Sequence, residues 1–132
     1  MSFVVDASVT ACWILADETH ATASAAFELL RTESAVAPAL WRYEVRNFLL
    51  MNERRGRITP SDTNQALQWL SRMPITVDPS HELEVLLMLA RAHNLTVYDS
   101  AYLETAIRRG LPLATLDKDL LKAAKKERVP LL

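Results

Sequence analysis

The sequence predicts one α/β domain, a mostly parallel sheet with helices covering both faces. Three observations point there. Short apolar runs without polar alternation recur along the chain, as in strands buried on both sides. Helical patterns separate these runs, and strands alternating with helices make a parallel sheet. The chain has 132 residues, two glycines, and no Gly/Ser linker, low-complexity tract or repeat, which fits a single unit over 1–132.

The elements follow in order. Phe3–Val5 is the first strand and runs straight into Asp6. Residues 8–16 form a short helical pattern, and residues 19–32 a longer one with Ala23, Ala26, Phe27 and Leu30 at helical spacing. Ala35–Ala37 is the second strand. The helix over 39–55 carries Leu40, Tyr43, Phe48 and Leu49 and ends at Gly56. Thr59-Pro60-Ser61-Asp62 is a capping box with proline at the first helical position, and its helix runs to about Met73. Ile75–Val77 is the third strand. Helices over 81–93 and 97–109 follow, the second closed by Gly110 as a C-cap. Leu113–Leu116 is the fourth strand, 118–127 the last helix, and Val129–Leu131 a weaker fifth strand.

Half of the residues are hydrophobic, enough for a core without disulfides or structural metal. Fifteen basic residues against sixteen acidic give a net charge of −1, so no global field steers the chain toward nucleic acid or an anionic membrane. The one cysteine, Cys12, suits a reducing compartment and is expected to pack as a small hydrophobe. No signal peptide is evident, and no apolar run approaches the ~18 residues of a spanning helix. The expected location is the cytoplasm, with no membrane partner.

Carboxylates stand in costly places. Asp6 ends a buried strand, and Asp117 ends the fourth strand at the same predicted edge, where α/β sheets bind ligands. Glu44 shares a helical stripe with Leu40, Asn47, Phe48 and Met51, and no lysine or arginine falls three or four residues away. Asp99 heads a stripe of Tyr102, Leu103 and Ala106. Each acid alone has a structural reading. Asp6 or Ser8 would cap the first helix, Asp117 would cap the last, and Thr96-x-x-Asp99 fits a capping box. Glu44 lies mid-helix, too far in for capping. If the four converge, each like-charged pair at ~5 Å costs about 3 kcal/mol at an effective dielectric near 20. With no lysine beside them, a divalent cation is the natural partner, and all-oxygen ligation selects Mg²⁺ or Mn²⁺.

Val4-Val5-Asp6-Ala7-Ser8, Glu44-Val45-x-Asn47, Tyr98-Asp99-Ser100-Ala101-Tyr102-Leu103 and Thr115-x-Asp117 together resemble the PIN-domain family, and within it the VapC-type ribonuclease toxins of prokaryotic toxin–antitoxin pairs. The resemblance spans nearly the whole chain. It implies a three-layer α/β/α fold and an acidic site of Asp6, Glu44, Asp99 and Asp117 holding one or two Mg²⁺ or Mn²⁺. It implies support from Ser8 and Thr115, endonucleolytic cleavage of RNA, a homodimer, and a cognate VapB-like antitoxin. Asn47, one turn after Glu44, is read as a further supporting residue. On this reading Asp6 and Asp99 are the principal ligands. Glu44 and Asp117 bind a second ion or hold and deprotonate water, and hydrolysis leaves 5′-phosphate and 3′-hydroxyl ends.

Basic residues flank these motifs: Arg42, Arg46, Arg54, Arg55 and Arg57 on one helix and its end, Arg108 and Arg109 on another, and Lys118, Lys122, Lys125, Lys126 and Arg128 on the last. They read either as solvated faces or as contacts to a phosphate backbone, with Lys118 and Arg46 as the substrate-binding candidates. His20, His81 and His93 share no motif and are expected at the surface. Trp13, Trp41 and Trp69 read equally as core or as part of a dimer or antitoxin groove. Three rival readings share the predicted fold: a phospho-acceptor receiver domain, for which Asp78 has no well-placed lysine; a non-catalytic protein- or RNA-binding module; and a DNA- or structure-directed nuclease with the same acidic site.

Overall fold

The computed structural model of the protein describes residues 2–15 and 18–132. Four strands, β1 (Phe3–Val5), β2 (Ala35–Pro38), β3 (Ile75–Asp78) and β4 (Leu113–Ala114), form one sheet in the order β3-β2-β1-β4. Every pairing is parallel, with Val4 opposite both Val36 and Leu113. Seven helices flank it among the described residues: α1 (Ala7–Ile14), α2 (Ala21–Leu29), α3 (Leu40–Arg54), α4 (Pro60–Ser71), α5 (Leu83–His93), α6 (Val97–Arg109) and α7 (Lys118–Lys126). The α/β/α class and the order of elements are those expected from the sequence. The end of the first helical pattern, at Ala16, lies outside the described residues.

Helix α6 lies deepest, packed on β1, β2 and β4, and Ser100 through Ala106 are all buried. Phe3, Val4 and Val5 have no exposed surface, as a strand covered on both faces requires. The chain steps outward from β1 to β2 to β3, then crosses back to lay β4 on the other side of β1. The crevice beyond the carboxyl ends of β1 and β4 is therefore the topological switch point, where such sheets place ligands.

Three expectations need correction. The fourth strand stops at Ala114. Beyond it the Thr115 and Leu116 polar groups bond to Asp6 and Ser8 side chains instead of to a ladder. The fifth strand is a single parallel bridge between Leu113 and Leu131, because Pro130 offers no N–H and Arg128 turns the chain at φ 58°. In α3 the buried stripe is Trp41, Val45, Leu49 and Asn52, one position away from the stripe through Glu44, while Tyr43 is 75% exposed. Glu44 thus sits at the edge of the buried face, with access to the crevice.

The tryptophans divide. Trp41 is core, its Nε1–H donating to Thr10 Oγ1 at 2.8 Å. Trp13 and Trp69 sandwich Phe27, with ring centroids 5.9 and 5.7 Å away, and line a cleft between α1 and α4 with Ile58 and Ala66. Replacing Trp41 with Phe keeps most of the packing but removes one bond to the buried Thr10 hydroxyl, which still donates to Asp6 O at 3.0 Å. The expected cost is about 1 kcal/mol in denaturant unfolding, with an unchanged m-value.

Candidate active site

The strand ends place the first two acids. Asp6 follows β1, is 5% exposed, and N-caps α1, its Oδ1 accepting from Val9 N–H at 3.1 Å and from Ser8 Oγ at 2.5 Å. The Thr115 hydroxyl donates to Asp6 Oδ2 from the end of β4. The same Thr115 oxygen accepts from Asp117 N–H at 3.1 Å, and Ser8 Oγ accepts from Leu116 N–H at 3.0 Å. Ser8 and Thr115 therefore stitch the β1 end to the β4 end through both Asp6 oxygens. Asp117 N-caps α7, accepting from Leu120 N–H at 2.9 Å. Capping uses one oxygen of Asp117 and leaves the other available.

Helices place the other two. Thr96 caps α6 by accepting from Asp99 N–H at 3.0 Å. At the head of α4 the capping box is complete, because Asp62 bonds back to Thr59 N–H. Asp99 has no such return bond to Thr96 N–H, so its carboxylate is not spent on the helix end. Glu44 projects from α3, and Tyr102 Oη of α6 donates to its Oε1 at 2.5 Å. Glu44, Ser8 and Asn47 line one cleft of about 370 Å³ between the start of α1 and α3, with Arg55 at its margin.

The acids act on one another electrically. Burial pushes the Glu44 carboxyl above the usual glutamate range, and the charges of Asp99 and Asp6 push it further, against the Tyr102 hydrogen bond. Burial also raises Asp99, reinforced by Asp117 and Asp119 and opposed by Thr96. Burial raises Asp6 despite hydrogen bonds from Ser8, Thr115 and Val9. Tyr102 is held far above the ordinary tyrosine range by burial and by Glu44, so it is a fixed hydrogen-bond donor. Asp6, Glu44, Asp99 and Asp117 are thus linked in series by mutual repulsion.

Among the described residues, no three Asp, Glu, His or Cys side chains stand close enough to share one ion. Asp6, Glu44 and Asp117 are instead each held by hydrogen bonds of their own. The donor chemistry still fits a hard divalent cation. The ligands are oxygens, their charge is uncompensated by lysine or arginine, and Mg²⁺ commonly takes one or two carboxylates and keeps several waters.

Of the basic candidates, Lys118 is exposed and opens α7 beside Asp117. Arg46 lines a different groove, with Trp41, Met73 and Val77, and its Nη1 donates to Arg42 O at 3.0 Å. Arg108 and Arg109 are not a phosphate-facing pair. Both bond Asp78 Oδ2 at 3.0 Å, and Arg108 Nε also bonds Glu104 Oε1 at 2.7 Å. Nor is Asp78 a phospho-acceptor in waiting. Burial acts to raise its carboxyl, but Ser80 N–H and the two guanidiniums outweigh burial and hold it below the usual range. Two histidines are not surface residues. The His93 side chain is 7% exposed and lies 2.6 Å from Glu127, and His81 packs beside buried Glu104. His20 is exposed and caps α2, accepting from Thr22 N–H at 3.1 Å. Cys12 packs half-buried against the core. Sequence reasoning missed Tyr102 as a partner of Glu44, although Tyr102 lay in the quoted motif. It also missed the Glu104–Arg108–Asp78 network, having read Arg108 and Arg109 as a solvated face or phosphate contacts.

The family pattern described as PIN domain matches residues 3–126. Ribonuclease VapC3 of Pyrobaculum aerophilum is 32% identical over 123 residues, covering 91% of this chain and 92% of that protein. Among solved structures, PAE2754 from Pyrobaculum aerophilum superposes with a TM-score of 0.75 at 23% identity, over 93% of this chain and 84% of that one. FitAcB from Neisseria gonorrhoeae gives 0.68 at 16% identity, over 100% and 96%. VapC20 from Mycobacterium tuberculosis, a sarcin-ricin loop cleaving toxin, gives 0.62 at 15% identity, over 92% and 94%. These likenesses agree with the α/β fold and its parallel sheet, and the chain belongs to the PIN-domain family, among relatives of the VapC type.

Proposed function

We propose that the protein is a divalent-metal-dependent endoribonuclease that hydrolyses RNA phosphodiester bonds as the toxin of a VapBC-type toxin–antitoxin pair. The observation that carries this reading is the set of four carboxylates about the switch point of the sheet, Asp6 and Asp117 at the heads of α1 and α7, Asp99 in the first turn of α6 and Glu44 on the cleft beside Ser8. The end-to-end similarity to a VapC ribonuclease supports RNA as the substrate and a VapB-like antitoxin as the partner.

A divalent ion bound here, Mg²⁺ with Mn²⁺ as a substitute, would neutralise charge on the phosphate oxygens and make water acidic enough to attack near neutral pH. Asp6 and Asp99 are its principal holders. Asp117 offers the carboxylate oxygen left free by its cap. Glu44, raised above the ordinary range, would bind a second ion with Asp117 or hold and deprotonate the attacking water. Ser8 and Thr115 fix the plane of Asp6, and Asn47 stands beside Glu44 as a polar contact for water or ribose. Lys118 is placed to meet a backbone phosphate next to Asp117.

The test is cleavage of single-stranded and structured RNA by the pure protein in Mg²⁺ or Mn²⁺, with EDTA controls and analysis of the ends. Cleavage that stops in EDTA and leaves 5′-phosphates supports the reading. Cleavage that persists in EDTA refutes it.

A homodimer belongs to the same reading. Helix α5 exposes Leu83, Leu87 and Met88, at 71%, 45% and 58%, an apolar face that a lone domain gains nothing by showing to water. Leu87→Glu with Met88→Glu is expected to shift the protein from dimer to monomer in light scattering. An unchanged mass would place the dimer surface elsewhere.

A further inference from the structure

We propose that Tyr102 is the positioning residue for Glu44, and that its phenol sets which carboxylate oxygen faces the metal. This rests on the reading of Glu44 as part of the metal site. Two of the other three acids have a visible anchor. Asp6 is held by Ser8 and Thr115, and Asp117 by Leu120 N–H. Glu44 has no such anchor on its own helix. Leu40, Trp41, Asn47 and Phe48 occupy the positions one turn away, so no lysine or arginine reaches it along α3. It is also the one glutamate of the four, with a further rotatable bond to immobilise.

Tyr102 supplies what α3 does not. It lies on α6, three residues after Asp99, and is buried. Its Oη donates to Glu44 Oε1 at 2.5 Å. One phenol therefore joins α6 and α3. It occupies Oε1 and leaves Oε2 as the oxygen available to an ion. Partners of this kind, which touch the ligand and not the metal, typically govern affinity by 10- to 100-fold.

The experiment is calorimetric titration of Mn²⁺ into the chelator-stripped full chain for wild type, Tyr102→Phe, Glu44→Gln and the double variant. It is run at a temperature where circular dichroism shows all four folded. Tyr102→Phe keeps the ring and its packing. The expected result is an affinity about 10-fold weaker, with the double variant no weaker than Glu44→Gln alone, because Tyr102 acts through Glu44. A merely structural tyrosine would lower the melting temperature and leave Mn²⁺ affinity unchanged. That pattern, with Glu44→Gln still weakened, overturns the proposal and spares the metal-site reading. Losses that add in the double variant also overturn it, since Tyr102 would then act elsewhere. Wild-type affinity in Glu44→Gln removes Glu44 from the metal site, and this proposal with it.

Discussion

Asp99→Asn is expected to cut RNA cleavage by at least about 100-fold while leaving the folded protein as stable as before, or more so. The magnitude follows from position. Losing a supporting partner of a metal site already costs 10- to 100-fold, and Asp99 is proposed as a ligand. The stability claim follows from sign. Burial and the charges of Asp117 and Asp119 raise the folded-state pKa of Asp99. A raised carboxyl stabilises the fold only when protonated, below its unfolded pKa near 4, and that stabilisation is lost as pH rises through the folded value. At neutral pH without metal the charge is therefore a burden, and asparagine removes it. The cap of α6 survives, because it is formed by the Asp99 amide and the Thr96 side chain. Wild type should gain thermal stability when Mg²⁺ is added, by about 2.7 kcal/mol at a hundredfold excess over Kd. Asp99→Asn should lose most of that gain. Full cleavage by the variant would sink the assignment of Asp99. A melting temperature that falls without metal would sink the electrostatic argument.

The fold was legible because its strands are short, apolar and separated by well-punctuated helices. Phe3–Val5 reads as doubly buried from its composition alone, and it is. The complete capping box at Thr59 and the C-cap at Gly110 are local chemistry and stand where the pattern put them. Asp6 and Asp117 could be read as strand-end carboxylates because parallel sheets gather their carboxyl ends on one edge. What escaped was tertiary. The bond from Tyr102 to Glu44 spans 58 residues, and nothing local to either element announces it. The burial of Glu104 contradicts its surroundings, since an i,i+4 Glu–Arg pair near a helix end normally lies in solvent. Leu113–Leu116 looked like four strand residues, but Thr115 and Leu116 turn their hydrogen bonds to the site. The histidines were misread for the same reason: the partner of His93 is Glu127, 34 residues away at the end of α7.

Arg108→Met should destabilise the protein by about 3 kcal/mol, lowering its melting temperature by roughly 10 °C. Glu104 is 1% exposed and Asp78 5%, whereas the Arg108 side chain is 25% exposed and reaches both. Its Nη2 also donates to Ser80 O at 2.7 Å, and Glu104 Oε1 accepts from Glu82 N–H at 3.1 Å at the start of α5. One guanidinium thus holds α6, the end of β3 and the head of α5 together. Methionine fills similar volume but strands the Glu104 charge, and stranding one member of a buried pair costs about 3–5 kcal/mol. The lower figure applies because Arg109 still pairs with Asp78. The pH dependence has a definite sign. Asp78 titrates below the usual range when folded, so its contribution is fully present above its unfolded pKa of about 3.9 and lost as pH falls through the folded value. The gap between wild type and variant should therefore narrow in acid, as Asp78 takes up its proton. Adding Glu104→Gln to Arg108→Met should recover part of the loss, since the amide needs no counter-ion. If the single variant unfolds with the wild-type midpoint, the network contributes nothing net. The packing of α6 would then be what holds Asp99 and Tyr102 in place.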